Sequence, residues 1–279
     1  MTEAMLSQDL VRNLAIPPRP EIVNVLFEEM SRDEPDLARV GQKIAADVGL
    51  AAAMLKVANS ALFGGSGRAR SVYQAIDLLG MRNVSSIATG LVIRHSLGGG
   101  KNAALERFWD TAEKVAMICA YLAKALRGIP VDEAYTLGLF HDCGIPLLME
   151  RFPNYRETLA RANRAPDRSF FSVEDEEIGT NHGAVGYFLA RSWSLHDDLC
   201  NAIRWHHEPD VFRDSEVSET VRNYVGLIHL AQHVQHRQMR STTDVEWSKF
   251  VDVVLGHFAL GEEDFINLVD GAQESLLQH

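Results

Sequence analysis

The sequence is short of cysteine, of positive charge and of long apolar runs. Its three cysteines, Cys119, Cys143 and Cys200, each sit inside an apolar helical pattern. So sparse and odd a count excludes a disulfide framework and fits buried free thiols in a reducing compartment. Lys and Arg number 27 against 38 Asp and Glu, a formal charge of -11. Non-specific nucleic-acid binding rests on neutralising phosphates with basic side chains, so no nucleic-acid partner is expected. No apolar stretch approaches the ~20 residues that span a bilayer. The opening MTEAMLSQDL carries acids where a secretory signal needs Lys or Arg. The expectation is a cytoplasmic protein with no membrane partner. Alternating β-branched runs between turn residues are missing as well, so no strand is expected.

What the sequence does have is apolar residues at three- and four-residue steps along nearly all of its 279 positions. That is helical periodicity, and the expected fold class is all-α. The spacing predicts helices over about Glu3–Leu14, Glu21–Met30, Leu37–Ala46 and Leu50–Phe63, the last stopped by Gly64 and Gly65. IPPRP, residues 16–20, breaks the chain after the first of these. Ser71 reads as an N-cap and Gly80 as a C-terminal stop, followed by a helix over Asn83–Leu97. GGGKN, residues 98–102, is poor helix and poor strand and reads as a linker. It divides the chain into an N-terminal helical subdomain, residues 1–97, and a second helical subdomain, residues 103–279. In the second, helices are expected at Leu105–Arg127, Asp132–Glu150, Tyr155–Asn163, Val173–Ser192, Asp197–His207, Ser218–Arg240, Asp244–His257 and Glu262–Leu277.

GLFHDCGIPLL, residues 138–148, sets His141 and Asp142 in an apolar helical run, where polar side chains need partners. With eleven His and eighteen Asp, chance ordering alone gives about 0.7 such pairs, so the dipeptide by itself is weak. A second pair, His196-Asp197, lies in the polar turn SLHDDL and reads as a surface helix start capped by aspartate. Downstream, His182 opens a helical pattern in GTNHGAVG, and His206 and His207 end one in AIRWHHEP. Neutral imidazoles and a carboxylate suit zinc, iron or manganese. The alternative for each histidine is a core residue hydrogen-bonded to a carbonyl or to Asp142.

Other features carry less. His229, His233 and His236 fall on one helical face that points away from the apolar stripe of Tyr224, Leu227, Ile228, Ala231 and Val234. That face reads as solvated or as an interface, with metal or pH sensing as the alternative. Arg68 and Arg70 lie in a glycine loop that reads as solvated, with anion binding as the alternative. Asn59, in an apolar helix end, is expected to bond backbone locally or across to the next helix. No phosphate-loop spacing and no Ser-His-Asp or Cys-His nucleophile arrangement is present.

The order His141-Asp142, then NHGAVGYFLARSW, then AIRWHHEP resembles the HD-domain superfamily of metal-dependent phosphohydrolases. IPPRPEIVNVLFEEM, LKVANSALFG and SVYQAIDLLGMRNV narrow this to the HDOD family of bacterial signalling proteins. One departure is Val48, where that family often has proline. The resemblance implies a degenerate HD-like helical core packed with the N-terminal subdomain. It also implies two further metal ligands, a His and an Asp, at positions that fall on Thr111 and Gln232 here. Neither residue is a strong ligand. The resemblance therefore implies a non-catalytic signalling or regulatory module with signalling proteins as partners, and a nucleotide-type ligand as a further partner class. No cofactor is required on this reading. A single divalent transition ion is what the partial site His141, Asp142, His182, His206 and His207 could hold. The alternative is a metal-dependent phosphohydrolase acting on a nucleotide or cyclic dinucleotide.

Overall fold

The computed structural model describes residues 16–60, 63, 69–98, 103–239 and 243–277. The expected helix at 3–14, the glycine stop at 64–65, Arg68 and all of the linker but Gly98 lie outside them. Among the described residues every regular element is helical. The prolines of residues 16–20 keep that stretch extended, and Pro20 becomes the N-cap of α1 (Glu21–Met30). α2 (Leu37–Ala45) and α3 (Val48–Ala58) are each opened by an aspartate, Asp36 and Asp47. Each carboxylate accepts from the backbone N–H three residues on. Asn59 ends α3, donating to the Ala69 carbonyl and accepting from the Ala69 N–H, both at 2.8 Å. It thus bonds backbone beyond its own helix, as expected.

Ser71 caps α4 (Val72–Ser96), and Gly80, at φ 75° and ψ 163°, leaves helical geometry as expected and divides α4 into two helical segments joined across a kink. This helix is long and apolar enough, by length and composition, to cross a membrane, with mean hydropathy 1.2. Here one face of it is interior, with Ala75, Ile76, Ile87 and Ile93 almost fully buried. α5 (Ala103–Ala125) and α6 (Val131–Phe140) pack closely. A Cβ on Gly138 would lie 2.4 Å from the Ala116 Cα, so the two backbones touch where glycine leaves room. α4 also packs on α6.

The remaining helices are α7 (Gly144–Arg151), α8 (Tyr155–Ala162), α9 (Phe170–Ile178), α10 (His182–Ser192), α11 (Asp197–Trp205), α12 (Glu219–Met239), α13 (Val245–His257) and α14 (Glu262–Leu277). A 3₁₀ turn, Pro209–Phe212, joins α11 to the approach of α12. One cluster of buried apolar side chains runs from Val23 in α1 through Ile87, Trp109 and Phe140 to Val269 in α14. Polar ties reinforce it. Arg94 on α4 reaches Glu106, Asp110 and Glu113 on α5 at 2.8–3.1 Å. The Trp193 indole N–H donates to the Pro17 carbonyl at 3.1 Å, and Arg19 donates to the Trp193 carbonyl at 3.4 Å. All three cysteines are buried and free.

Candidate metal centre

Two helices expected to be continuous are broken, and both breaks carry candidate ligands. Helix was expected over Asp132–Glu150; it stops at Phe140, turns through residues 141–143 and restarts at Gly144. Pro146 is the cause. It has no N–H to give the Asp142 carbonyl, and its ring would clash with that carbonyl in continued helix. Ile145 N–H donates to the Asp142 carbonyl instead, at 2.9 Å. Helix was likewise expected over Val173–Ser192. Gly179, at φ 73°, ends α9 in the left-handed region, and Asn181 caps α10 by accepting from the Ala184 N–H. His182 is therefore the first residue of α10, and His206 is the C-cap of α11. A Cβ on Gly144 would lie 2.2 Å from the His182 carbonyl oxygen, so the two breaks abut.

At this junction Nδ1 of three histidines is spoken for. His141 Nδ1 donates to the Gly138 carbonyl and His206 Nδ1 to the Ile203 carbonyl, each at 2.8 Å. His182 Nδ1 donates to Glu174, 2.8 Å from Oε2. Anchoring Nδ1 aims Nε2 outward, the arrangement metal-binding imidazoles adopt. His182 Nε2 and His206 Nε2 stand 3.2 Å apart, and Asp142 Oδ1 lies 3.3 and 3.4 Å from them. That buried oxygen makes no hydrogen bond. Nitrogens each about 2.1 Å from a tetrahedral ion stand roughly 3.4 Å apart, so the spacing fits an ion as well as a shared proton. Asp142, His182, His206 and His207 offer ligand atoms all within 4.8 Å of one another.

The four groups differ in charge. Burial pushes the Asp142 carboxyl up, but the His141, His182 and His206 rings beside it reverse this and hold it well below the usual carboxylate range. Burial lowers His182, and Glu174 with Asp142 outweighs it, raising the ring to about 10. Burial dominates at His206, and at His207 it is joined by the neighbouring rings, so both are pushed down. His207 donates through Nδ1 to Glu246 at 2.7 Å and stacks on Phe170.

His141 is treated differently. The Gln232 amide nitrogen lies 3.2 Å from His141 Nε2. In the neutral ring, with Nδ1 donating to Gly138, Nε2 accepts from that amide N–H; in the protonated ring the same nitrogen donates to Asp142 Oδ2, also 3.2 Å away. Thr111 lines the same cavity of about 300 Å³, but its hydroxyl donates back to the Arg107 carbonyl at 2.9 Å. Asp142, Asp244 and Glu246 also line it, and among the described residues no Lys or Arg does.

Two expectations need correction. The cap at SLHDDL is the imidazole of His196, which accepts from the Leu199 N–H, not the aspartate that follows it. Nor is the His229–His233–His236 face solvated. His229 is buried, donates to the His206 carbonyl at 2.5 Å and stacks 3.4 Å from Phe250. His233 stacks on Trp247 and bonds Asp244. α13 and α14 cover that face, which the periodicity of one helix does not reveal. His236 lines the cavity.

The sequence also left Glu174, Tyr155, Asp244 and Glu246 unremarked. Glu174 had a signal, since it falls with Phe170 and Val173 on one helical face, one acid of the VEDEE run set among apolar residues.

A family model described as HDOD domain matches residues 16–209. The chain is 26% identical over 199 residues to an uncharacterized protein of Treponema pallidum (strain Nichols). That match takes in 67% of this chain and 37% of the relative, so the chain spans little more than a third of the curated protein it matches. Two solved structures superpose over most of their length. One, from Shewanella amazonensis SB2B, is assigned by name to the phosphohydrolases, with TM-score 0.72, 23% identity and coverage of 98% of this chain and 96% of that one. The other is an HDOD domain protein of unknown function from Geobacter sulfurreducens, with TM-score 0.69, 20% identity and coverage of 94% and 90%.

Proposed function

Because the chain belongs to the HDOD domain family, we propose that it is a non-catalytic regulatory module of signal transduction that keeps one transition-metal position. Asp142, His182, His206 and His207 would hold the ion. The observation that carries the reading is the Gln232 amide on His141 Nε2. It occupies the lone pair a second metal would need, while the Thr111 hydroxyl is spent on its own helix. A two-metal cluster needs anionic and imidazole ligands at those places, and neutral Gln and Thr are weak substitutes. The cavity wall supports the same reading. Asp142, Asp244 and Glu246 line it and, among the described residues, no Lys or Arg does, Lys249 being spent on Glu246 at 2.8 Å, so it forms a poor cradle for a phosphate ester. A bound ion would supply Lewis acidity and charge; the chain's residues orient it and exclude water. Signalling proteins are the partners this reading expects.

The runner-up is a metal-dependent phosphohydrolase of nucleotides or cyclic dinucleotides. It is favoured by the converging His182, His206 and Asp142 atoms beside a cavity of about 300 Å³. The test is turnover of phosphomonoesters, phosphodiesters and cyclic dinucleotides with excess manganese or iron, alongside elemental analysis. The expected result is no metal-stimulated turnover and at most one tightly held ion per chain. Thr111→His with Gln232→Asp should raise the metal count or affinity, since it adds an imidazole and a carboxylate. Metal-dependent hydrolysis by the unmodified protein, abolished by Asp142→Ala, would overturn the regulatory reading.

A further inference from the structure

Glu174 has no exposed surface. Its hydrogen-bond partners are all donors: the Tyr155 hydroxyl, the His182 backbone N–H at 3.2 Å and His182 Nδ1 at 2.8 Å. Among the described residues no Lys or Arg pairs with it, and the His182 ring, charged only when protonated, is the one basic group it meets. A carboxylate so deeply buried is costly unless positive charge lies along its hydrogen bonds. That charge can come from beyond the ring, at Nε2, where His206 Nε2 and Asp142 Oδ1 converge. Tyr155, itself fully buried on α8, fixes the carboxylate from the far side. The hydrogen-bonded series Tyr155, Glu174, His182 therefore leads from buried Tyr155 on α8 to the ligand cluster.

We propose that Glu174, fixed by Tyr155, is the positioning residue that presents Nε2 of His182 as a ligand to a divalent transition ion, an inference that rests on the single-ion reading above. The carboxylate sets which nitrogen bears the proton, holds the ring plane and strengthens the ring as a donor. A purely packing role would be met by any group of the same shape. The distinction lies in charge, because a glutamine amide would turn an N–H toward one of the three donors.

The test uses the full chain stripped of metal, with Zn²⁺ affinity read by competition against a chromophoric chelator and geometry read from the visible spectrum of Co²⁺. Glu174→Gln, with folding checked by circular dichroism, should weaken Zn²⁺ binding by about 10–100-fold and shift the Co²⁺ bands. Tyr155→Phe should give a smaller loss in the same direction, and it decides the matter alone if Glu174→Gln does not fold. Wild-type binding retained within about threefold by the folded variants, with an unshifted Co²⁺ spectrum, overturns this inference and leaves the single-ion reading standing. Failure of the wild type to bind either ion overturns both.

Discussion

Single side chains in this molecule are held by what surrounds them more than by their own segment. His229 illustrates it: burial against Phe250 pushes its ring down to about 3, although the hydrogen bond to the His206 carbonyl pulls the other way. In the unfolded chain the same ring titrates near its ordinary value, about 6.5. Between those values the unfolded state binds a proton that the folded state refuses, so stability is full above about pH 6.5 and falls as pH drops towards 3. His229→Gln, which keeps a donor for the His206 carbonyl, should make the dependence on pH shallower by up to one proton, about 1.4 kcal/mol per pH unit. Urea unfolding of both proteins at pH 7 and pH 4.5 checks this; equal slopes would contradict it. The histidine's position was legible in the sequence but its burial was not, because the helices that cover it lie later in the chain. Asn59 was legible, since a polar side chain at an apolar helix end has few options.

At the scale of elements, periodicity located the helices but not where they break. Pro146 and Gly179 were in plain view, yet apolar spacing continues through both. Each break sets ligands at a helix terminus, where backbone turns let adjacent residues point into one volume. The pairing of α5 with α6 gives a sharper test. A Cβ added to Gly138 would lie 2.4 Å from the Ala116 main chain, whereas one on Gly90 of α4 would meet only the end of the Leu139 side chain. Backbone cannot yield as a leucine methyl can. Gly138→Ala should cost on the order of 3 kcal/mol and Gly90→Ala less, on the order of 1 kcal/mol, within the usual range for overpacking. Denaturant midpoints decide the ranking, and the reverse order would mean that the helices separate freely. Because α6 ends at Phe140 and leads directly into the turn that carries Asp142, Gly138→Ala should also weaken metal binding.

For the whole molecule, the sequence suggested two subdomains, and a single apolar cluster spans residues of both, from Val23 to Val269. Nothing in a glycine-rich stretch tells whether the parts on either side share a core; the match of α4 to α6 does. We predict one cooperative transition by calorimetry, with van't Hoff and calorimetric enthalpies equal; two separated transitions would refute it. Added Zn²⁺ should move that one transition upward as a unit, since an ion that binds only the folded state stabilises all that folds with it.

The Trp193–Pro17 hydrogen bond joins residues 176 positions apart and closes the chain into a ring. Trp193 ends α10, and His182 begins it, roughly 16 Å away along the helix axis at about 1.5 Å per residue. In mechanical terms α10 is a pushrod. Pro17 is thus tied, through the indole and one stiff helix, to the imidazole at the far end.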